Sequence, residues 1–268
     1  VTRPDPSQSY LDLANQEPVQ YESVKKPLLV VLDLNGTLLH RPQKGGSNAK
    51  HRPGTRSFIQ YLAEEHYIMV WSSAKPDNVK NMCKKLFNKE TSRTRIGIWT
   101  RENFGLSPQD YGRKVQVYKR LSKIWQNPKL SRRSTGDSLI QFDQTNTVLL
   151  DDSREKAASE PFNLVEIDTF EGNNQTKQDT LWQVREYLEI LRSYTNVSAY
   201  IRENPYKYVR QRRQRRHDAD TPDHFENFSW GADDPFPDPG TTNDNGVTEV
   251  EENISLTPPL GCEQSSKE

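Results

Sequence analysis

Between about residues 25 and 204, short apolar runs alternate with segments of helical periodicity. LLVVLDL at 28–34 is apolar at successive positions and β-branched, which predicts a central parallel strand buried on both faces. A helix is predicted from Thr55, with Phe58, Ile59 and Leu62 on one face, and YIMVWS at 67–72 reads as a second strand. Pro76 suits a first helical position, and Val79, Met82 and Leu86 continue a helical stripe. TRIGIWT (94–100), NTVLLDD (146–152) and NLVEID (163–168) read as three further strands, and Leu181, Val184, Leu188 and Leu191 mark a closing amphipathic helix. This alternation predicts an α/β fold with a Rossmann-like, doubly wound parallel sheet covered by helices on both sides. Trp71, Trp99, Trp125 and Trp182 fall within the apolar pattern and are expected in the core.

Open parallel sheets place ligand groups beyond the C-terminal ends of their strands. The first strand runs into Asp33-Leu34-Asn35-Gly36-Thr37, the second into Ser72-Ser73 and the fourth into Asp151-Asp152-Ser153, while Lys119 stands ahead of that fourth strand. Carboxylates, a hydroxyl and an ammonium are the groups that hold a divalent cation and a phosphoryl group, whose transfer is mostly positioning and charge neutralisation. Ser72 and Ser73 also suit an ordinary turn, and Lys114, Arg120 and Lys123 beside Lys119 leave a solvated charged face as the alternative there. His40, His51 and His66 lack metal-ligand spacing with acidic partners and read as surface or structural residues.

Composition changes the picture outside this region. Hydrophobic residues are 32% of the 268-residue chain, too few for a uniformly packed body. Lys plus Arg and Asp plus Glu balance at 37 each, but the balance is uneven along the chain. The stretch 205–216 carries six basic residues and no acidic one, whereas 217–268 carries 13 acidic residues and one basic. The organisation expected is an N-terminal extension (1–24), an α/β domain (25–204), a basic segment (205–216) and a disordered acidic tail (217–268). Within the tail, FENFSWGADDPF has the aromatic-acidic character of a short docking motif. The basic run at 210–216 suits nuclear targeting, attraction to nucleic acid or a membrane surface, or pairing with the tail, and no other nucleic-acid motif is evident. The longest apolar stretch, within 27–34, is far short of a membrane span, and two distant cysteines, Cys83 and Cys262, suit a reducing, nuclear or cytoplasmic setting.

LVVLDLNGTLL, RPGTRSFIQYL, IMVWSSAKPDNV, KVQVYKRL and VLLDDS, in this order, resemble the haloacid dehalogenase superfamily. The resemblance is strongest to the branch of RNA polymerase II C-terminal-domain phosphatases, NLI-interacting-factor-like proteins and the mitochondrial inner-membrane translocase receptor, and it spans roughly residues 26–194. It implies that Asp33 is a nucleophile that takes the phosphoryl group as an aspartyl-phosphate. It further implies that Ser72 binds phosphoryl oxygens and that Lys119 offsets charge. Magnesium would be held by Asp33, Asp151 and the backbone carbonyl of Asn35, with Asp152 in support.

One position departs from the family's DxDxT motif, whose second Asp is the general acid/base; here it is Asn35. An amide has no proton equilibrium near neutral pH, and loss of such a group typically removes about 10²–10⁴ in rate. An aryl phosphate can still lose its leaving group, whereas a serine or threonine alkoxide leaves poorly. Between Thr37 and Ser72 there are 35 positions, mostly consumed by a helix and a strand, so no large cap domain is expected and a phosphorylated protein is the anticipated substrate. Three functions follow from the resemblance: a slowed magnesium-dependent phosphoprotein phosphatase, a pseudophosphatase that binds or scaffolds a phosphorylated partner, and a translocase-receptor-like import component. The last predicts an Arg-rich presequence and a hydrophobic span before Val1, and with it a mitochondrial location.

Overall fold

The computed structural model describes residues 1–21, 25–42, 49–135, 138–173 and 179–207. Residues 208–216 of the basic segment and the acidic tail, with its aromatic motif, lie outside the described residues. Chain order is α1 (Gln8–Ala14), β1 (Leu29–Leu32), β2 (Leu39–His40), β3 (Lys50–His51), α2 (Thr55–Glu65), β4 (Tyr67–Trp71), α3 (Pro76–Leu86) and β5 (Arg95–Trp99). Then come α4 (Pro108–Tyr111), α5 (Ser122–Trp125), β6 (Arg132–Thr135), β7 (Ser138–Gln141), β8 (Thr147–Asp151), β9 (Leu164–Glu166), α6 (Thr180–Leu191) and α7 (Val197–Glu203).

Five parallel strands form the central sheet in the order β5-β4-β1-β8-β9. The chain moves outward from β1 through β4 to β5, then returns to β8 on the opposite side of β1 and continues to β9. That reversal is the switch point of a Rossmann-like sheet and opens a crevice at the strand ends beside β1 and β8. Register makes the crevice specific: Leu32 pairs with Val70 on one side and Leu150 on the other, so the residues that follow emerge at one level. The Asp33 N–H continues the ladder by donating to the Leu150 carbonyl at 3.0 Å.

β1 is buried at every position because the sheet is covered on both faces. Leu28, Val30 and Leu32 face a core with Ile68, Val70, Val148 and Leu150, closed by apolar residues of α2, α3, α6 and α7. Leu29 and Val31 face the other side, with Met69, Trp71 and Leu149. This second face is covered by Leu121 and Ile124 around α5, together with Leu130, Phe142 and Ala157, so short elements and loops take the place of the long helices expected there. A fully buried Val or Leu contributes roughly 1.5–3 kcal/mol, which holds β1 as the shared centre of both cores.

The helices follow their local chemistry. α3 starts with Pro76, carries Asp77 in its first turn and ends with Lys84 and Lys85, charges that complement the helix dipole. Gly54 precedes α2 with φ +76°, a conformation that glycine adopts without Cβ strain. On α6, Leu181, Val184, Leu188 and Leu191 point inward, but Trp182 is 46% exposed, against the expectation of a core position. The reason is rotation: one residue beyond Leu181 lies about 100° around the helix, off the apolar stripe. Trp71 is fully buried and meets Trp99 edge-on at 4.7 Å.

The segment before residue 25 carries α1, stitched to the far end of the sheet. Tyr10 Oη donates to Asn163 Oδ1 at 2.9 Å, Gln144 Nε2 donates to the Tyr10 carbonyl at 2.8 Å, and Asn196 Nδ2 donates to the Leu13 carbonyl at 2.9 Å. No helix among the described residues is long and apolar enough to cross a membrane.

Candidate active site

Asp33 leaves β1 and Asp151 ends the adjacent β8, so parallel pairing sets two carboxylates side by side, with Asp152 next in the chain. Oxygens of Asp33, Asp151 and Asp152 lie within 4.8 Å of one another, and the first two residues are buried. Like charges this close are costly unless compensated. Two lysines compensate them. Lys119 Nζ lies 2.7 Å from Asp33 Oδ1 and 2.7 Å from Asp151 Oδ2, and its side chain is 0% exposed. Lys156 Nζ reaches all three carboxylates: 2.8 Å to Asp151 Oδ1, 3.3 Å to Asp33 Oδ2 and 3.3 Å to Asp152 Oδ1. Burial by itself favours the neutral amine of Lys156, but attraction to Asp33, Asp151 and Asp152 outweighs it and holds the pKa above that of an ordinary lysine.

Backbone geometry fixes these groups. The Lys119 N–H donates to the Lys156 carbonyl at 2.7 Å, and the Ser153 N–H donates to Asp151 Oδ1 at 3.0 Å. Glu160, itself buried, accepts from the Leu121 N–H at 2.9 Å and the Ser122 N–H at 3.3 Å, anchoring the chain directly after Lys119. Gly36 has φ +90°, and a Cβ there would collide with the Asp152 carboxylate. Glycine is therefore required twice, by backbone conformation and by close approach. Thr169 Oγ1 donates to Asp152 Oδ2 at 3.0 Å from the other side. Arg52, 0% exposed, braces the loop through Nε to the Thr37 carbonyl at 2.6 Å and Nη2 to the Gly36 and Asp168 carbonyls at 3.1 and 2.6 Å.

Ser72 sits at the end of β4, on the other side of β1, and is buried. Its N–H extends the sheet to the Trp99 carbonyl at 3.0 Å, and its Oγ accepts from the Ala74 N–H at 3.3 Å, which leaves the hydroxyl proton for another acceptor. Asn35 is exposed, and its Oδ1 accepts from the Arg41 N–H at 2.7 Å, tying the amide to the residue that follows β2 rather than to the carboxylates. The structure thus brings Asp33, Lys119, Asp151 and Asp152 into one cluster, with Ser72 at the same end of the sheet and the Asn35 side chain outside the cluster.

Lys156 and Glu160 had no place in the sequence reading, and Gly36 and Arg52 stood there only within quoted stretches, without a role. The signal for Lys156 was its position in DDSREKA, where a turn of 3₁₀-helix at Arg154–Ala157 folds a residue five beyond Asp151 back over the strand end.

The donor set fits a hard divalent cation, which takes oxygen ligands and is bound by clustered carboxylates. Charge supports the fit: three carboxylates against two ammonium groups are formally one negative charge in excess, and a phosphate monoester would add to it.

The sequence profile of the NLI interacting factor-like phosphatases matches residues 28–198. The chain belongs to this family. It is a branch of the haloacid dehalogenase superfamily, whose phosphatases act on phosphate esters and use a divalent metal. An uncharacterized FCP1 homology domain-containing protein of Schizosaccharomyces pombe is 36% identical over 218 residues, spanning 77% of this chain and 87% of its own length. Among solved structures, the essential RNA polymerase II CTD phosphatase Fcp1 is similar at 18% identity and a TM-score of 0.37, over 74% of this chain and 56% of that one. A fission yeast Fcp1 variant bound to beryllium fluoride is similar at 14% identity and a TM-score of 0.35, over 73% and 57%. The family profile covers the strand ends that carry Asp33, Ser72 and Asp151, as well as the segments that carry Lys119 and Lys156.

Proposed function

We propose that this family member is a magnesium-dependent phosphoprotein phosphatase with Asp33 as nucleophile, and that its turnover is slowed by Asn35. The observation that carries the reading is the Lys119 ammonium, fully buried and 2.7 Å from both Asp33 and Asp151. It sets a cationic side chain against the Asp33 carboxyl at the mouth of a parallel-sheet crevice.

In the first half-reaction an Asp33 oxygen attacks phosphorus, the bond to the ester oxygen breaks, and its electron pair leaves with that oxygen. Ser72 donates its hydroxyl proton as a hydrogen bond to a non-bridging oxygen, and Lys119 offsets charge on the nucleophile. Water then attacks the phosphorus of the aspartyl-phosphate, releasing inorganic phosphate and restoring the Asp33 carboxylate. Asp33, Asp151 and the backbone carbonyl of Asn35, with Asp152 in support, would hold magnesium, which would supply charge neutralisation at the phosphate oxygens. Asn35 can neither protonate the leaving oxygen nor take a proton from water, so both half-reactions run without their general acid/base. The absence of a cap domain among the described residues suits a large substrate such as a phosphorylated protein segment.

The second reading, a pseudophosphatase that holds a phosphorylated partner, draws on the same amide, whose oxygen is committed to the Arg41 N–H. Phosphate release from para-nitrophenyl phosphate, with and without magnesium, separates the two. Magnesium-dependent turnover by the native chain that disappears in Asp33→Ala is the expected result. Activity gained only in Asn35→Asp would establish the pseudophosphatase instead.

A further inference from the structure

The metal reading above leaves one group unexplained. A divalent cation at this cluster would use oxygens of Asp33 and Asp151, with Asp152 in support, yet the ammonium of Lys156 already touches one oxygen from each of the three. No other described cation does this, since Lys119 reaches Asp33 and Asp151 from their other oxygens, Oδ1 and Oδ2 respectively. The two lysines thus take different sides of the cluster, and the side facing Asp152 belongs to Lys156.

We propose that Lys156 is a tethered cation occupying the divalent-cation position, so that the metal must displace it to enter. The inference rests on the metal reading of the site and adds a competitor built into the chain. The Lys156 ammonium offsets part of the charge of the three carboxylates, which would otherwise repel one another more strongly. It also occupies Asp33 Oδ2 while Lys119 occupies Oδ1, so both oxygens of the nucleophile are engaged until Lys156 moves.

The structure distinguishes the group that yields from the one that stays. Lys119 is 0% exposed, whereas the Lys156 side chain retains 14% exposure and has a flexible four-carbon stem with a path to solvent. Its main chain stays fixed by the bond from the Lys119 N–H, so the ammonium can swing out without loss of the fold. Once out, it remains tethered at the rim, where an incoming phosphate brings negative charge. If the ammonium holds the site about nine-tenths of the time, apparent metal affinity falls about tenfold below that of the open site.

Two measurements on the full chain test this. Amine acetylation of the native protein, followed by peptide mass spectrometry, should label Lys156 weakly without magnesium and severalfold more at saturating magnesium, with buried Lys119 unreactive in both. Calorimetric titration with magnesium should show about tenfold tighter binding to Lys156→Met than to the native chain, and loss of binding in Asp151→Asn. Equal or weaker binding by Lys156→Met, or unchanged Lys156 labelling while magnesium binds, overturns the displacement and leaves the metal site standing. Should neither native chain nor Lys156→Met bind magnesium, the metal reading falls and the displacement with it. The labelling arm needs no substitution and decides the question even if Lys156→Met does not fold.

Discussion

The main-chain N–H of Lys119 donates to the carbonyl of Lys156 at 2.7 Å, which joins the two lysines whose side chains neutralise the carboxylates from opposite sides. The segment bearing Lys119 has no place in the central sheet, so its position depends on this bond and on Glu160, which receives the N–H groups of Leu121 and Ser122.

Glu160→Ala should therefore act at a distance. It leaves two N–H groups without their acceptor, at a cost of about 1–3 kcal/mol, and it releases the turn that aims Lys119. Urea denaturation should report the stability loss, and phosphatase assays should show a fall in kcat larger than the change in KM.

Gly36→Ala should be more damaging than an alanine at an ordinary loop position. The φ of +90° costs about 1–3 kcal/mol for a residue with a Cβ, and the added methyl strikes the Asp152 carboxylate. A lower thermal midpoint is expected together with weaker magnesium binding by calorimetry. An unchanged magnesium affinity would separate Asp152 from the metal site.

The amide at position 35 predicts a leaving-group effect. Without an acid to protonate the departing oxygen, the native rate should fall steeply from aryl phosphates to phosphoserine peptides, and Asn35→Asp should recover about 10²–10⁴ on the peptides and less on aryl esters. Parallel kcat/KM measurements on both substrate classes check it. An equal gain on both classes would indicate that Asn35 limits a step other than leaving-group departure.

Acid sensitivity should arise at the end of the strands remote from the site, where His66 precedes β4. The His66 ring lies in a buried chain of hydrogen bonds: the Leu28 N–H donates to Nδ1 at 3.2 Å, Nε2 lies 2.9 Å from Tyr61 Oη, and that hydroxyl donates to Glu189 at 2.6 Å. Acceptance at Nδ1 assigns the neutral ring, with its proton on Nε2. Desolvation, reinforced by the Arg192 charge, pushes the His66 pKa down to about 3 from 6.5. Because the folded value lies below the unfolded one, the unfolded chain binds the extra proton between them. The stabilisation is complete above pH 6.5 and is lost as pH falls toward 3. From pH 7 to pH 5 the loss should be about 2 kcal/mol, measured by urea denaturation, and His66→Gln should remove that slope even if it lowers stability at pH 7.

The legible part of the molecule was the part built from parallel strands. Such strands are buried on both faces, so 28–34, 67–72 and 146–152 appear as apolar runs that stop at Asp33, Ser72 and Asp151. The elements opposite α2, α3 and α6 were not legible: α5 has four residues, too few for a periodicity to register. Trp182 shows the complementary error, since apolar character alone does not say which side of a helix a residue occupies.

At the site, residue type and strand-end position were enough to nominate the carboxylates and the serine, whereas the amide at position 35 stood out only against the DxDxT motif of the resembled family. Lys119 could be named only beside the competing Lys114, Arg120 and Lys123, because loop residues carry no period that assigns a side chain to a face. Tertiary structure alone decided that Lys119 is buried between two carboxylates, that Gly36 makes room for Asp152, and that Lys156 returns over the strand end to touch all three acids. Strand pairing is a short-range regularity written into successive residues. The meeting of ammonium and carboxylate groups depends on where loops from distant parts of the chain come to rest.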